Sequence, residues 1–215
     1  MKPRGRRTRW LAGLALLAAS LAFAQPEPGR EFGLVNPPRP VGTGDRIEVI
    51  EFFYYGCPVC YETEPLLSRW LGTAPADVAI RRVPAVSSEA WAPLAKLFYT
   101  LDALGQVDRL HRTVYESLQL DDVRLSDEKV VLEWVARNGI DREKFADAYR
   151  SAEVAARVEH ARELVRAYDV GGVPTFVVDG KYRTSARLAG GTKHAIEVLD
   201  YLVRLARRER ASKTP

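Results

Sequence analysis

What this sequence has little of narrows it first. Its 215 residues include two cysteines and three histidines. Structural zinc sites usually close with four Cys or His ligands. There is no second cysteine pair, and His111, His160 and His194 are scattered, so neither a metal nor a cofactor is expected. Internal repeats and low-complexity tracts are absent. The one long apolar run, Leu11 to Ala24, spans about 14 residues, short of the roughly 20 that cross a bilayer. It follows Lys2, Arg4, Arg6, Arg7 and Arg9 with no acid among them and ends in Ala22-Phe23-Ala24, the pattern of a secretory signal cleaved before Gln25. Arg6-Arg7 fits a twin-arginine signal poorly, so the general export route is expected. No cysteine follows the cleavage site, which excludes a lipid anchor there. Without residues 1–24 the chain carries 27 basic and 28 acidic residues, so its basic balance gives no reason to expect a nucleic-acid partner.

What is present is organised around Val49 to Cys60, Val-Ile-Glu-Phe-Phe-Tyr-Tyr-Gly-Cys-Pro-Val-Cys. A β-branched and aromatic run reads as a buried strand, Gly56 ends it, and Pro58 suits the first turn of a helix. The first N–H groups of a helix lack internal partners and its dipole is positive there, so Cys57 at that mouth favours the reactive thiolate. Both cysteines belong to an exported chain, where disulfides persist. A purely structural staple is the bland reading, yet closing so short a loop constrains the unfolded chain little. Redox chemistry at Cys57 and Cys60 is the reading preferred.

Along the chain, Gln25 to Gly44 is rich in Pro and Gly and reads as an extended lead-in, too short for a dimerisation domain. Arg46 to Tyr55 is the first strand. Alternation puts Ile47, Val49, Glu51 and Phe53 on one face, leaving a carboxylate among apolar neighbours. Tyr54 and Tyr55 fit core or rim. The helix from Cys57 meets Pro65, where a kink is expected. Val78 to Val83 is a second strand. Between residues 87 and 166 the period is helical throughout: Trp91, Leu94, Ala95 and Phe98; Leu110, Val114 and Leu118; a helix opened by Ser126; another capped at Asp141 between Ile140 and Phe145; then Val154, Val158, Ala161 and Val165. Strand character returns at Val173 to Val178, and Asp179-Gly180 turns it into Lys181-Tyr182-Arg183. A terminal amphipathic helix carries Arg204, Arg207, Arg208, Arg210 and Lys213 in its last turns, read as a solvated end where cations suit the dipole.

Taken in this order, with Glu51-Phe52-Phe53, Cys57-Pro58-Val59-Cys60-Tyr61 with Glu64, and Gly172-Val173-Pro174 followed by Asp179-Gly180-Lys181-Tyr182, the sequence resembles the DsbA family of periplasmic thiol:disulfide oxidases over nearly the whole mature chain. The resemblance implies an α/β, thioredoxin-like fold with an inserted all-helical domain: a signal peptide at 1–24, the thioredoxin-like domain at 25–86 and 167–215, and the insertion at 87–166. It implies a dithiol oxidase that donates its Cys57-Cys60 disulfide to reduced exported proteins in the periplasm, recharged by a DsbB-type quinone-linked membrane oxidase and monomeric. An isomerase or reductase of the same fold, or a non-catalytic chaperone-like module with an inert disulfide, are the alternatives.

By the same resemblance Cys57 is the attacked sulfur and Cys60 the more buried, resolving one. Pro174 matches a cis-proline facing the first cysteine, and Val173 beside it offers backbone groups to an extended client. Glu51 matches a proton-shuttling acid, with a salt-bridged acid at the strand's end as the alternative. Glu64 acts on the same site or sits on a solvated face. Within the motif Pro58 is as expected, but familiar members carry His where this chain has Val59. Valine can neither donate to a thiolate nor add charge, so a less stabilised Cys57 and a less oxidising pair are expected.

Overall fold

The computed structural model describes residues 25–212. The signal reading of 1–24 and the charge of Lys213 lie outside the described residues. Strand β2 (Ile47–Phe53) is buried at every position, including Glu48 and Glu51, as befits a strand covered on both faces. Helix α1 (Pro58–Leu71) returns the chain to β3 (Val78–Pro84), which runs parallel to β2 from Ile47↔Val78 to Phe53↔Pro84. On the other side of β2 lies β4 (Thr175–Val178), antiparallel with Val49 opposite Val178. It turns at Asp179 and Gly180, both with positive φ, into β5 (Tyr182–Ser185). The lead-in holds a strand that its sequence does not announce: β1 (Gly33–Leu34) pairs antiparallel with β5, giving the order β1-β5-β4-β2-β3. Two residues, one of them glycine, carry no alternation to read; the edge of β5 supplies their pairing.

Between β3 and β4 the chain is helical, with a short 3₁₀ turn at Glu89–Trp91 followed by α2 (Ala92–Ala103), α3 (Val107–Gln119), α4 (Glu128–Arg137), α5 (Arg142–Tyr149) and α6 (Ala152–Ala167). Asp141 caps α5 by accepting from Lys144 N at 2.9 Å. The α4 cap is Asp127, not Ser126: its carboxylate accepts from Lys129 N at 2.8 Å, and a carboxylate also suits the positive helix end. The helix α1 continues through Pro65 to Leu71.

Two cores result. The larger joins Ile50, Phe52 and Phe53 to the helices through Leu97, Leu101, Tyr115, Val131, Phe145 and Val154. The smaller packs Ile47, Val49, Phe176 and Val178 against Leu67 of α1 and the terminal helix α8 (Thr192–Ala211), which follows the short α7 (Ala186–Ala189). Phe53 therefore leaves the group formed by Ile47 and Val49. Past the start of α1, its neighbours are Phe98 of α2 and His111 of α3. Two arginines of the terminal cluster are not a solvated end. Arg207 grips Asp77 through two bonds of 2.6 and 2.8 Å, and Arg210 reaches the buried Asp179 and the Gly44 carbonyl. Both tie α8 to the sheet's loops.

Candidate active site

Cys57 is the N-cap of α1, with extended backbone at φ −95 and ψ 116, and Pro58 begins the helix. Gly56 is required by close approach: a Cβ there would lie 2.5 Å from the Tyr54 ring. That ring stacks on Trp91, with centroids 4.0 Å apart and planes 5° from parallel. Tyr55 is core, fully buried beside Phe53, His111 and Tyr115.

The two thiols occupy opposite environments. Cys57 is half-buried, whereas Cys60 is 0% exposed. Both are free cysteines, so the geometry is that of the dithiol. Cys57 Sγ accepts from Cys60 N at 3.4 Å and lies 3.6 Å from the carbonyl oxygen of Val173. A hydrogen bond from the Cys60 thiol lowers the Cys57 pKa from 9.0 to about 6, against the opposing effect of burial, with the backbone N–H groups of Cys60 and Val59 adding to the lowering and Glu62 opposing it. The first contribution is thus the second cysteine. The helix mouth acts through those two N–H groups. Cys60 moves the other way, pushed far up by burial and then by its neighbour Cys57. Val59, 38% exposed, adds an apolar surface beside them.

The Val173-Pro174 peptide bond is cis. This turn is held by Thr175 Oγ1, which donates to the Gly172 carbonyl at 2.6 Å. Beside it lies a cleft of about 250 Å³ lined by Gly172, Val173, Pro174, Arg187 and Leu188. Residues 116 positions apart meet here because β4 is antiparallel to β2, bringing the start of one strand to the end of the other.

Beneath the cysteines runs a charged line. Glu51 is 1% exposed, and Arg82, directly opposite it in the β2–β3 register, donates from Nε at 3.1 Å. Burial pushes the Glu51 carboxyl up to about 8, with Arg82 opposing and Glu64 reinforcing the rise. The solvated-face alternative for Glu64 does not hold: it is 5% exposed, takes Arg82 Nη2 at 3.1 Å and Ser68 Oγ at 2.8 Å, and lies 3.5 Å from His111 Nε2. Burial works against the Glu64 carboxylate, but His111, Arg82 and Ser68 together hold its pKa below the ordinary value. His111 is itself buried, its Nδ1 2.8 Å from the Tyr55 hydroxyl, and burial lowers its pKa despite Glu64.

Sequence reasoning singled out neither Arg82 nor His111. The signal for Arg82 was an arginine inside an otherwise buried strand. For His111 no local signal existed, since the Tyr55 hydroxyl and the Glu64 carboxylate reach its ring from the loop after β2 and from α1.

The family model of the DSBA-like thioredoxin domain matches residues 77–195. The thiol:disulfide interchange protein DsbA of Bordetella pertussis is 41% identical over 200 residues, covering 91% of this chain and 95% of its own. That of Azotobacter vinelandii is 38% identical over 193 residues, covering 90% of each chain. Among solved structures, DsbA of Pseudomonas aeruginosa superposes with a TM-score of 0.81 at 37% identity, covering 86% of this chain and 96% of its own.

Proposed function

The chain belongs to the DsbA family of thioredoxin-fold proteins, and from that we propose that it is a periplasmic thiol:disulfide oxidase that oxidises exported proteins through Cys57 and Cys60. The observation that carries this reading is the placement of the two thiols at the mouth of α1, where Cys57 is a half-buried N-cap that accepts from Cys60 N at 3.4 Å and Cys60 is 0% exposed, an arrangement that lowers the first thiol and raises the second. An inert staple or a binding module has no use for such a difference.

In the oxidised state a client thiolate attacks Cys57 Sγ. The Cys57–Cys60 bond breaks, a mixed disulfide forms at Cys57, and its electron pair leaves on Cys60. Burial makes a Cys60 thiolate costly, so it takes a proton, and Glu51, kept protonated by burial and close enough to act on Cys60 when ionised, is the acid assigned to supply it. The second client thiolate then attacks the client sulfur of the mixed disulfide and expels Cys57. Cys57 leaves readily because its thiolate is stable, and that same stability favours the reduced enzyme, which makes the disulfide oxidising. Val173 and Pro174 form the ledge on which an extended client segment lies. Glu64 holds Arg82 beside Glu51.

The chain is assigned to the periplasm by way of the signal at 1–24, acts as a monomer, and is recharged by a quinone-linked membrane oxidase of the DsbB type. Residues 87–166 are assigned as an insertion between the two parts of the thioredoxin-like domain. Equilibrating the purified protein with glutathione redox buffers tests the activity. A pair more oxidising than glutathione is expected, each 30 mV corresponding to about 1.4 kcal/mol. A pair at or below the glutathione potential overturns the oxidase assignment.

A further inference from the structure

Reduction of the disulfide leaves one proton to be delivered to a sulfur with no exposed surface. If Glu51 gives up its proton, a second anion appears next to Glu64, with only Arg82 shared between them. Some group must then bring a proton in from solvent, and the redox face is not the only way in. On the far side of the charged line, a cleft of about 540 Å³ opens between α1 and α3, lined by Glu64, Ser68, Arg82, Asp108, His111 and Arg112. Two buried polar atoms in this lining, Glu64 Oε2 and His111 Nε2, face each other at 3.5 Å without a well-formed hydrogen bond, and Glu51 Oε1 has no hydrogen-bond partner among the described residues. Leaving such groups unpaired is costly in a purely structural site.

We propose that His111 is the positioning residue that takes up a proton from the α1–α3 cleft and passes it through Glu64 to Glu51, the acid that protonates Cys60, while Arg82 stays charged and holds the two carboxyl groups together. The inference rests on the oxidase reading and extends it to a residue that touches neither sulfur. The balance is simple. Cys60 gains a proton from Glu51, the line Glu51–Arg82–Glu64 becomes net negative, and the His111 ring takes one proton from solvent, restoring neutrality until Glu51 is reprotonated. The charged and titratable groups facing the ring are Tyr55 from the loop after β2, Glu64 from α1, Arg82 from β3, and Asp108 and Tyr115 from its own helix. Burial and Arg82 oppose a charge on the ring, whereas Glu64 and Asp108 favour it. Loss of the Glu51 proton adds a negative charge nearby and tips the ring toward protonation.

The test is single-turnover oxidation of a reduced dithiol peptide by the full-length oxidised protein across pH 5 to 9, with His111→Gln as the variant. Glutamine keeps hydrogen-bonding capacity toward Tyr55 and Glu64 but cannot titrate. The variant is expected to be slower by about tenfold, less than the hundredfold or more lost with a group at the reacting atoms. It should lose one inflection of the rate profile, recover rate with added imidazole, and keep the Cys57 titration unchanged. Parent-like rates at every pH, or a slow variant that imidazole does not rescue, overturn the proposal. Should His111→Gln not fold, NMR titration of the labelled ring in the unaltered protein decides: a ring that does not titrate at the kinetic inflection overturns it. Failure of the oxidase reading looks different, because the parent itself then leaves the peptide reduced.

Discussion

The Cys57 sulfur lies 3.6 Å from the carbonyl oxygen of Val173. Only the thiol can donate to that oxygen, so ionisation of Cys57 forfeits the contact and leaves the thiolate to the helix N–H groups and Cys60. The thiolate is nevertheless favoured, with a pKa of about 6. A group whose folded pKa lies below its unfolded value adds stability above the unfolded pKa and loses it as pH falls through the folded one. The reduced protein is therefore expected to be more stable than the oxidised protein at pH 8, with the difference shrinking as pH drops toward 6 and below. Paired urea denaturation of the two forms checks this, and a difference independent of pH would contradict the assigned thiolate.

Val59 can be exchanged for the titratable residue that familiar relatives carry. Val59→His is expected to lower the Cys57 pKa by about one unit, equivalent to about 1.4 kcal/mol, and to make the pair more oxidising. Alkylation rate against pH measures the first and glutathione equilibration the second. An unchanged or raised pKa would show that position 59 does not act on the sulfur.

Glu51 works in the opposite sense to Cys57. Its pKa is raised by burial from 4.5 to about 8, so the folded state holds a proton that the unfolded state has released. Stability from this group accordingly falls as pH rises from about 4.5 to about 8. Glu51→Gln should remove that slope and leave the reduced variant more stable than the parent at pH 8, while slowing peptide oxidation. A variant with the parent's pH slope in urea denaturation would place the titration elsewhere.

Arg82 bridges the ionised Glu64 and the protonated Glu51, and taking away one side of the buried Arg82–Glu64 pair costs about 3–5 kcal/mol. Arg82→Met is expected to lose that much at pH 7, with Arg82→Lys recovering part of it. A loss below about 1 kcal/mol, the range of exposed pairs, would mean that water reaches the pair freely.

Gly180 is fixed by two constraints at once. Its φ is +64, and an added Cβ would collide with the Arg39 carbonyl oxygen, while Arg39 N donates to the Gly180 carbonyl at 2.9 Å. Gly180→Ala should cost about 1–3 kcal/mol, as overpacking does, and show as a lowered melting temperature. An unshifted melting temperature would mean that the lead-in segment yields at little cost.

The sequence by itself determined what neighbours in the chain decide. Alternation and β-branching mark β2, Gly56 and Pro58 place Cys57 at a helix mouth, and Asp179-Gly180 dictates the hairpin, because each depends on backbone geometry within a few residues. Asp141 was legible as a cap for the same reason. Tertiary structure decided everything that depends on which strand lies beside which. The parallel register alone sets Arg82 opposite Glu51, the antiparallel one brings Val173 to Cys57, and the packing of α3 on α1 brings His111 to Glu64. It also turned Glu64 from a candidate surface acid into a buried one and tied Arg207 and Arg210 to Asp77 and Asp179. Charge acts through space and burial, and neither is a function of spacing along the chain.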